Sequence, residues 1–408
     1  MGPRVRGAER WFGWSVALAL LVQLGLYAWA TAPGLAGTAD SGFYLHAAGT
    51  LRASGHLLNP DGTAYRYWPP LYPVLVALGG SLGALRILHG VALAMSLLAW
   101  SQLGRQLLPR AAALAVPWAL ALSTPWLVVS KFVWGETVFL TLVAGYVLAL
   151  FRGLQTWRGQ WWAAATAMGF LLPLQRTAGL FLLAGLALGL VVQHKHLAPR
   201  QRLLVTCHFV FTGLGGLAWH FYALLLAAPT VYKMNQGWAQ FFSSAADYGF
   251  VLSRWLLPVR AAWRPELTAV WVLALAGLLA WLWPRSVGWE ERPAASPVFS
   301  PWVRHFPVVL WVAVACFLLL LLVATTFTRS AAGLYDAERY ASVLFGPVVL
   351  LALLGVGRWF TSPLGSQKWP SWLVVGVVGL WLAYSAGRAG SNAAALRQLA
   401  PLEWPVIR

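Results

Sequence analysis

The chain has 408 residues, 60% of them hydrophobic and only 10% charged, with a formal net charge of +18. A soluble domain carries about a quarter charged residues, so a large water-exposed fold is excluded. The 29 Lys and Arg are scattered over many short connections rather than gathered on one face, which argues for topology signal and contact with anionic lipid headgroups and against a nucleic-acid partner.

Apolar runs of roughly 15–20 residues recur along the whole length, the pattern of membrane-crossing helices. Residues 11–31 form the first span, preceded by Arg4, Arg6 and Arg10, which place the N-terminus in the cytoplasm. Ala28-Trp29-Ala30 looks like a signal-peptidase site, but the apolar stretch is longer than a usual signal core and reads as a retained span. A first outer loop, residues 32–83, follows. Within it, 41–54 has the apolar spacing of a short helix lying on the membrane surface, Trp68-Pro69-Pro70 breaks helix, and 71–82 is too short to cross and reads as a half-helix or interfacial piece.

Further spans follow at 84–103, 111–129, 136–151, 161–174, 177–192 and 203–226. A second outer loop, 229–266, holds Lys233, Asp247, Arg254, Arg260 and Arg264 interleaved with aromatic residues. Spans at 267–283, 306–327, 341–356 and 372–386 complete the chain, with a polar cytoplasmic linker over 284–305. The expectation is an all-α polytopic membrane protein of about eleven transmembrane helices (10 to 13), one integral membrane domain over 1–408, in a plasma (inner) membrane. Many of the 26 Trp fall near span ends, where interfacial aromatic belts form. Cys207 and Cys316 fall inside spans and read as small buried apolar residues.

This topology assigns 15 Lys/Arg and 3 acids to the cytoplasmic side, and 14 Lys/Arg and 8 acids to the outer side. The near-equal basic counts mean that the outer arginines are kept for a reason other than orientation. The outer span ends gather Asp40, Glu136, Arg176 and the run Asp336-Ala337-Glu338-Arg339 from distant parts of the chain. Carboxylates and guanidinium groups on one wet face of an apolar bundle suit lipid-linked group transfer. A carboxylate can take the proton of an attacking hydroxyl. An arginine can grip a departing phosphate and stabilise its growing charge.

The succession Asp40-Ser41-Gly42-Phe43-Tyr44, Pro69-Pro70-Leu71-Tyr72-Pro73, Ala84-Leu85-Arg86-Ile87-Leu88, Gly135-Glu136-Thr137, Gln175-Arg176-Thr177-Ala178-Gly179 and Glu338-Arg339-Tyr340 resembles the GT-C superfamily of polytopic glycosyltransferases. Its branch related to protein O-mannosyltransferases and the aminoarabinose transferase of lipid A is the most similar. The resemblance implies inverting transfer of a sugar from a polyprenyl-phosphate donor to a lipid, glycan or protein acceptor on the extracytoplasmic face. By the same resemblance Asp40 is the base or acceptor-orienting group, Glu136 the second acid, and Arg176 and Arg339 substrate ligands. Ser41 stands where many relatives have a second adjacent acid. That weakens the case for a divalent metal, and no cofactor is expected. Glu338, Arg66, Tyr67 and Tyr44 join the set as substrate-binding candidates, the aromatics able to stack on a sugar or anchor in headgroups.

Each residue has a plainer reading. Asp40 can cap the helix that begins near Ser41, Glu136 can complement a helix dipole, Arg176 can snorkel, and Arg339 can pair locally with Glu338 or Asp336. Lys131 reads as interfacial, His194-Lys195-His196 as a solvated turn, and His89, His208 and His220 as packing residues. Two other functions compete. A transporter or flippase places ionisable groups near mid-membrane, but the span centres here are almost free of them; a non-catalytic scaffold needs no converging acids and arginines.

Overall fold

A computed structural model describes residues 3–66, 68–225, 237–260, 262–284, 302–327, 334–359 and 371–404. Among them the fold is helical, with two isolated β-bridges. In chain order the helices are α1 (Pro3–Ala30), α2 (Ala39–Ser54), α3 (Leu71–Gly79), α4 (Leu82–Leu107), α5 (Arg110–Ala121), α6 (Thr124–Lys131), α7 (Glu136–Thr156), α8 (Gly159–Gln175), α9 (Ala178–Val192), α10 (Pro199–Leu225), α11 (Trp238–Leu256), α12 (Trp263–Glu266), α13 (Thr268–Leu282), α14 (Trp302–Phe327), α15 (Leu334–Ala341), α16 (Phe345–Trp359) and α17 (Ser371–Arg397).

Seven described stretches are long and apolar enough to cross a membrane: Glu9–Ala30, Leu82–Leu107, Arg110–Lys131, Glu136–Thr156, Pro199–Ala223, Trp302–Thr326 and Asp336–Gly357. Three expected spans fold as shorter helices, α8, α9 and α13, of 17, 15 and 15 residues. The span expected at 372–386 lies within the 27 residues of α17. The protein is thus the polytopic helical membrane protein anticipated from its composition. Most of the 284–305 linker, with Lys233 and Tyr67, lies outside the described residues.

Small residues set the close helix contacts. In α9, a Cβ on Gly185 would stand 2.8 Å from the Ala313 Cα of α14, and one on Gly189 would stand 2.8 Å from the Val309 Cα. In lipid, where apolar burial does not drive helices together, such backbone proximity is the main source of packing. The α8–α9 turn is equally tight, since a Cβ on Gly179 would meet the Leu172 backbone carbonyl carbon at 2.5 Å.

The first loop has its own apolar cluster, built on Tyr44, Tyr65, Tyr72 and Val133. α3 begins after Pro70 and ends at Gly80, whose φ of 68° gives it the left-handed cap that glycine adopts at little cost. Three contacts join α4 to the end of α1, where the loop begins. Arg86 of α4 donates to Thr31 Oγ1 (2.9 Å) and to the Ala28 carbonyl (3.1 Å), and Tyr27 donates back to the Arg86 carbonyl (2.7 Å). The chain at Ala36 runs beside the α6–α7 connection: Ala36 N–H donates to the Lys131 carbonyl (2.9 Å), and Val133 N–H to the Ala36 carbonyl (3.0 Å).

Lys131, at the end of α6, sits inside the protein. It is wholly buried, and its Nζ donates to the Ala30 carbonyl (3.1 Å) and the Gly34 carbonyl (2.8 Å). The last carbonyls of a helix have no partner within it, and this ammonium supplies one at the end of α1. Sequence shows a lysine at a span end; it does not show which foreign helix terminus lies within reach. His89 and His208 are the satisfied packing residues anticipated, His89 between the Tyr72 hydroxyl (3.1 Å) and the Ser130 carbonyl (3.0 Å), His208 between Tyr146 (3.0 Å) and Thr166 (2.8 Å).

Candidate active site

The joined loops bring the start of α2 against the start of α7. In α2 the cap falls to a neighbour of Asp40. Ser41 Oγ accepts from the Thr38 N–H (3.0 Å) and donates to the Val133 carbonyl (3.0 Å). Asp40, in the first turn, is therefore free of the capping role and its carboxylate turns to Arg339, whose Nη1 donates to Asp40 Oδ2 over 2.8 Å.

Arg339 comes from α15, and its Nε donates to Glu136 Oε1. The same carboxylate oxygen accepts from Arg176 Nη1 at 2.6 Å. Glu136 is 3% exposed and so holds two guanidinium groups inside the protein. Desolvating a charge is costly, and the network answers by pairing two acids with two arginines. The Arg339 guanidinium lies on the Trp134 ring, 4.0 Å from its centroid. Trp134 is itself fixed by an Nε1–H bond to Thr38 Oγ1 of 2.8 Å. Tyr340 sits between the arginines, each guanidinium carbon 5.6 Å from its ring centroid.

These groups line one cavity of about 220 Å³, with Asp40, Tyr44, Glu136, Gln175, Arg176, Arg339 and Tyr340 in its wall and Trp68 and Pro69 beside them. Burial raises the Tyr44 hydroxyl above the ordinary tyrosine range, with the nearby arginines opposing, so it stays a neutral hydrogen-bond donor. Two acceptors are left over. Gln175 Nε2 donates to the Gly135 carbonyl (2.8 Å), which fixes the amide orientation, and its Oε1 is buried with no partner among the described residues. Glu136 Oε2 is in the same state. Chemically the cavity offers the Asp40 carboxylate, two guanidinium groups and a phenol. That set can grip an anion and receive hydroxyls at once.

Five of the residues singled out by sequence, Asp40, Glu136, Arg176, Arg339 and Tyr44, meet here. Glu338 does not line the cavity. Adjacent positions on a helix diverge by about 100°, so with Arg339 turned inward, Glu338 faces α17 and accepts from Arg388 Nη2 (3.0 Å). Arg66 is half-buried and not in the cavity wall, and Tyr67 lies outside the described residues. Trp134, Tyr340 and Gln175 carry no site assignment from sequence, though Tyr340 and Gln175 adjoin a residue that does and Trp134 lies two positions before Glu136. Among the described residues no three His, Cys, Asp or Glu side chains cluster as a metal site.

No protein-family model matches the sequence, and no curated protein matches it. Solved structures do match. ArnT from Cupriavidus metallidurans, bound to undecaprenyl phosphate, superposes with a TM-score of 0.59 at 15% identity, over 95% of this chain and 76% of that one. Its apo state gives 0.57 at 14% identity, over 97% and 76%. ArnT is an aminoarabinose transferase of the GT-C type. The chain therefore has the polytopic helical fold of ArnT.

Proposed function

We propose that this protein is a glycosyltransferase that moves one sugar, with inversion, from a polyprenyl-phosphate donor to a hydroxyl of a lipid, glycan or protein acceptor. The observation that carries the reading is the shared cavity: Asp40 and Arg176, 136 positions apart in sequence, face the same hollow through Glu136 and Arg339. A transporter reading has no comparable support, because the ionised groups lie at helix ends, not at mid-span.

In this reading the acceptor hydroxyl gives its proton to Asp40 as its oxygen attacks the anomeric carbon. The bond from that carbon to the phosphate oxygen breaks, and polyprenyl phosphate leaves with the electron pair. Arg176, the more accessible arginine with 18% of its side chain exposed, takes up the charge that develops on the phosphate. Glu136 acts as a positioning residue that holds both guanidinium groups in place. Room of about 220 Å³ is of the order of a single sugar ring with its phosphate. The undecaprenyl phosphate in the ArnT structure supports a lipid donor of that class here. The arrangement of charges supports chemistry without a resident metal. The sidedness follows from the basic residues before the first span: N-terminus cytoplasmic, cavity extracytoplasmic.

The test is transfer from labelled polyprenyl-phosphate sugars in proteoliposomes, guided by mass spectrometry of cell-envelope glycans and glycolipids after deletion of the protein. Appearance of label in a defined acceptor supports the reading. Movement of the lipid across the bilayer without any chemistry would replace it with a flippase.

A further inference from the structure

A second feature lies on the opposite side of α15. There α11 and α17 enclose an open groove of about 430 Å³. Its polar wall is Arg254, Arg388, Tyr384 and Ser391, and its apolar wall includes Pro258 and Val259. Arg388 is held rigidly: Nη1 donates to the Arg254 carbonyl (2.8 Å), Nη2 donates to Glu338 (3.0 Å), and the buried Nε has no partner among the described residues. Tyr384 also donates to the Arg254 carbonyl (3.3 Å). The Arg254 guanidinium stands 5.9 Å from the Phe250 ring, makes no ion pair among the described residues, and is close enough to Arg388 for the two charges to oppose each other. Arg388 has Glu338 as its counter-ion and Arg254 has no carboxylate among the described residues, so the groove has an excess positive charge.

The surroundings decide what would neutralise it. Leu380, Ala383, Tyr384 and Gly387 have the spacing of one helix face. Leu380 is 75% exposed, and Ala383 and Gly387 are also exposed. An acyl chain lying along that face leads its headgroup to Arg254 and Arg388. A transmembrane helix of a partner would instead bury an uncompensated arginine, which is strongly unfavourable. A free phosphate would satisfy the charge and leave the apolar wall unused. We infer that this groove is a second lipid site, which binds the phosphate-bearing headgroup of an anionic phospholipid through Arg254 and Arg388, separate from the cavity that holds Asp40. The assignment does not depend on the transfer reaction.

The full-length protein in neutral detergent is titrated with dioctanoyl phosphatidylglycerol, dioctanoyl phosphatidylcholine or inorganic phosphate, and binding is read from the thermal midpoint and from lipid adducts in native mass spectrometry. Saturable binding of phosphatidylglycerol in preference to phosphatidylcholine is expected. Arg254→Gln, which leaves the Arg388–Glu338 pair in place, should weaken it about ten-fold, the scale of one charged hydrogen bond. Arg52→Gln, on the first loop, should leave it unchanged. Arg388→Gln should also weaken it, but Arg254→Gln decides the matter if that variant misfolds. Equal binding of the two lipids, or equal phosphatidylglycerol binding by wild type and Arg254→Gln, overturns the site. Inorganic phosphate binding as tightly as the lipid, with the same dependence on Arg254, overturns the lipid assignment in favour of a free-phosphate site.

Discussion

Trp134 lies beneath Arg339, with the guanidinium carbon 4.0 Å from the ring centroid. The indole is the surface on which the one arginine shared by both site carboxylates is laid flat. Cation–π contact of a desolvated pair contributes up to about 2 kcal/mol. Trp134→Leu should therefore loosen Arg339 and reduce transfer while the bundle stays folded, and Trp134→Phe should restore part of the activity. Equal rates for Leu and Phe, measured in proteoliposomes with intact helicity by circular dichroism, would show that the ring does not orient the arginine.

Among the described residues Asp40 accepts from Arg339 on Oδ2 alone. As the base for the acceptor hydroxyl it should contribute about 10²–10⁴-fold to the rate. Asp40→Asn keeps the shape and removes the basicity, so turnover should fall by that order with expression and thermal midpoint close to wild type. Near-normal turnover in Asp40→Asn takes the residue out of the mechanism.

Arg176 reaches Glu136 with one nitrogen at 2.6 Å and keeps part of its fork exposed to the cavity. Arg176→Ala should raise the donor concentration needed for half-maximal rate more than it alters dependence on the acceptor. Arg176→Lys should rescue only partly, since an ammonium lacks the planar two-point grip on phosphate. An unchanged donor dependence in Arg176→Ala would assign the phosphate to another group.

Glu136 is buried between two cations, so removing its charge should destabilise the fold. Breaking a buried pair costs roughly 3–5 kcal/mol. Glu136→Gln should accordingly lower the thermal midpoint in detergent, and more than Asp40→Asn does, because Asp40 is the more exposed acid with 21% of its side chain accessible. The reverse order of the two variants would mean that Glu136 is not the anchor of the network.

Gly185 is packed against the α14 backbone, where a Cβ would come within 2.8 Å of the Ala313 Cα. Overpacking of this kind costs about 1–3 kcal/mol. Gly185→Val should lower the thermal midpoint and, through the α9 residues Ala178 and Phe181 in the cavity wall, also impair transfer. Gly376→Val is the control and should have little effect, since Gly376 is an exposed position of α17 where a Cβ would meet no atom within 4 Å.

How far the sequence could carry this site follows from which physics is local. Scarcity of charge made Asp40, Glu136, Arg176 and Arg339 visible, because an ion in an apolar chain needs a reason. Helical periodicity and the Pro69-Pro70 break made the short helices of the first loop visible. What stayed hidden depended on partners distant in the chain. Ser41, not Asp40, serves the α2 cap, and only the Val133 carbonyl on the other loop explains why the serine is held there. The burial of Lys131 was hidden because its acceptors belong to the end of α1 and the turn after it. Glu338 looked like a site residue because it adjoins Arg339, yet one step along a helix turned it to Arg388.

Glu136 and Arg339 stand 203 positions apart. A ribosome making this protein releases α7 into the translocon well before α15 exists, so the acid must wait with Arg176 as its earlier counter-ion, or take a proton, until the late helix arrives. Assembly of the cavity is thus a late event in biogenesis, and a nascent chain truncated before residue 334 should insert its early helices yet fail to close the network.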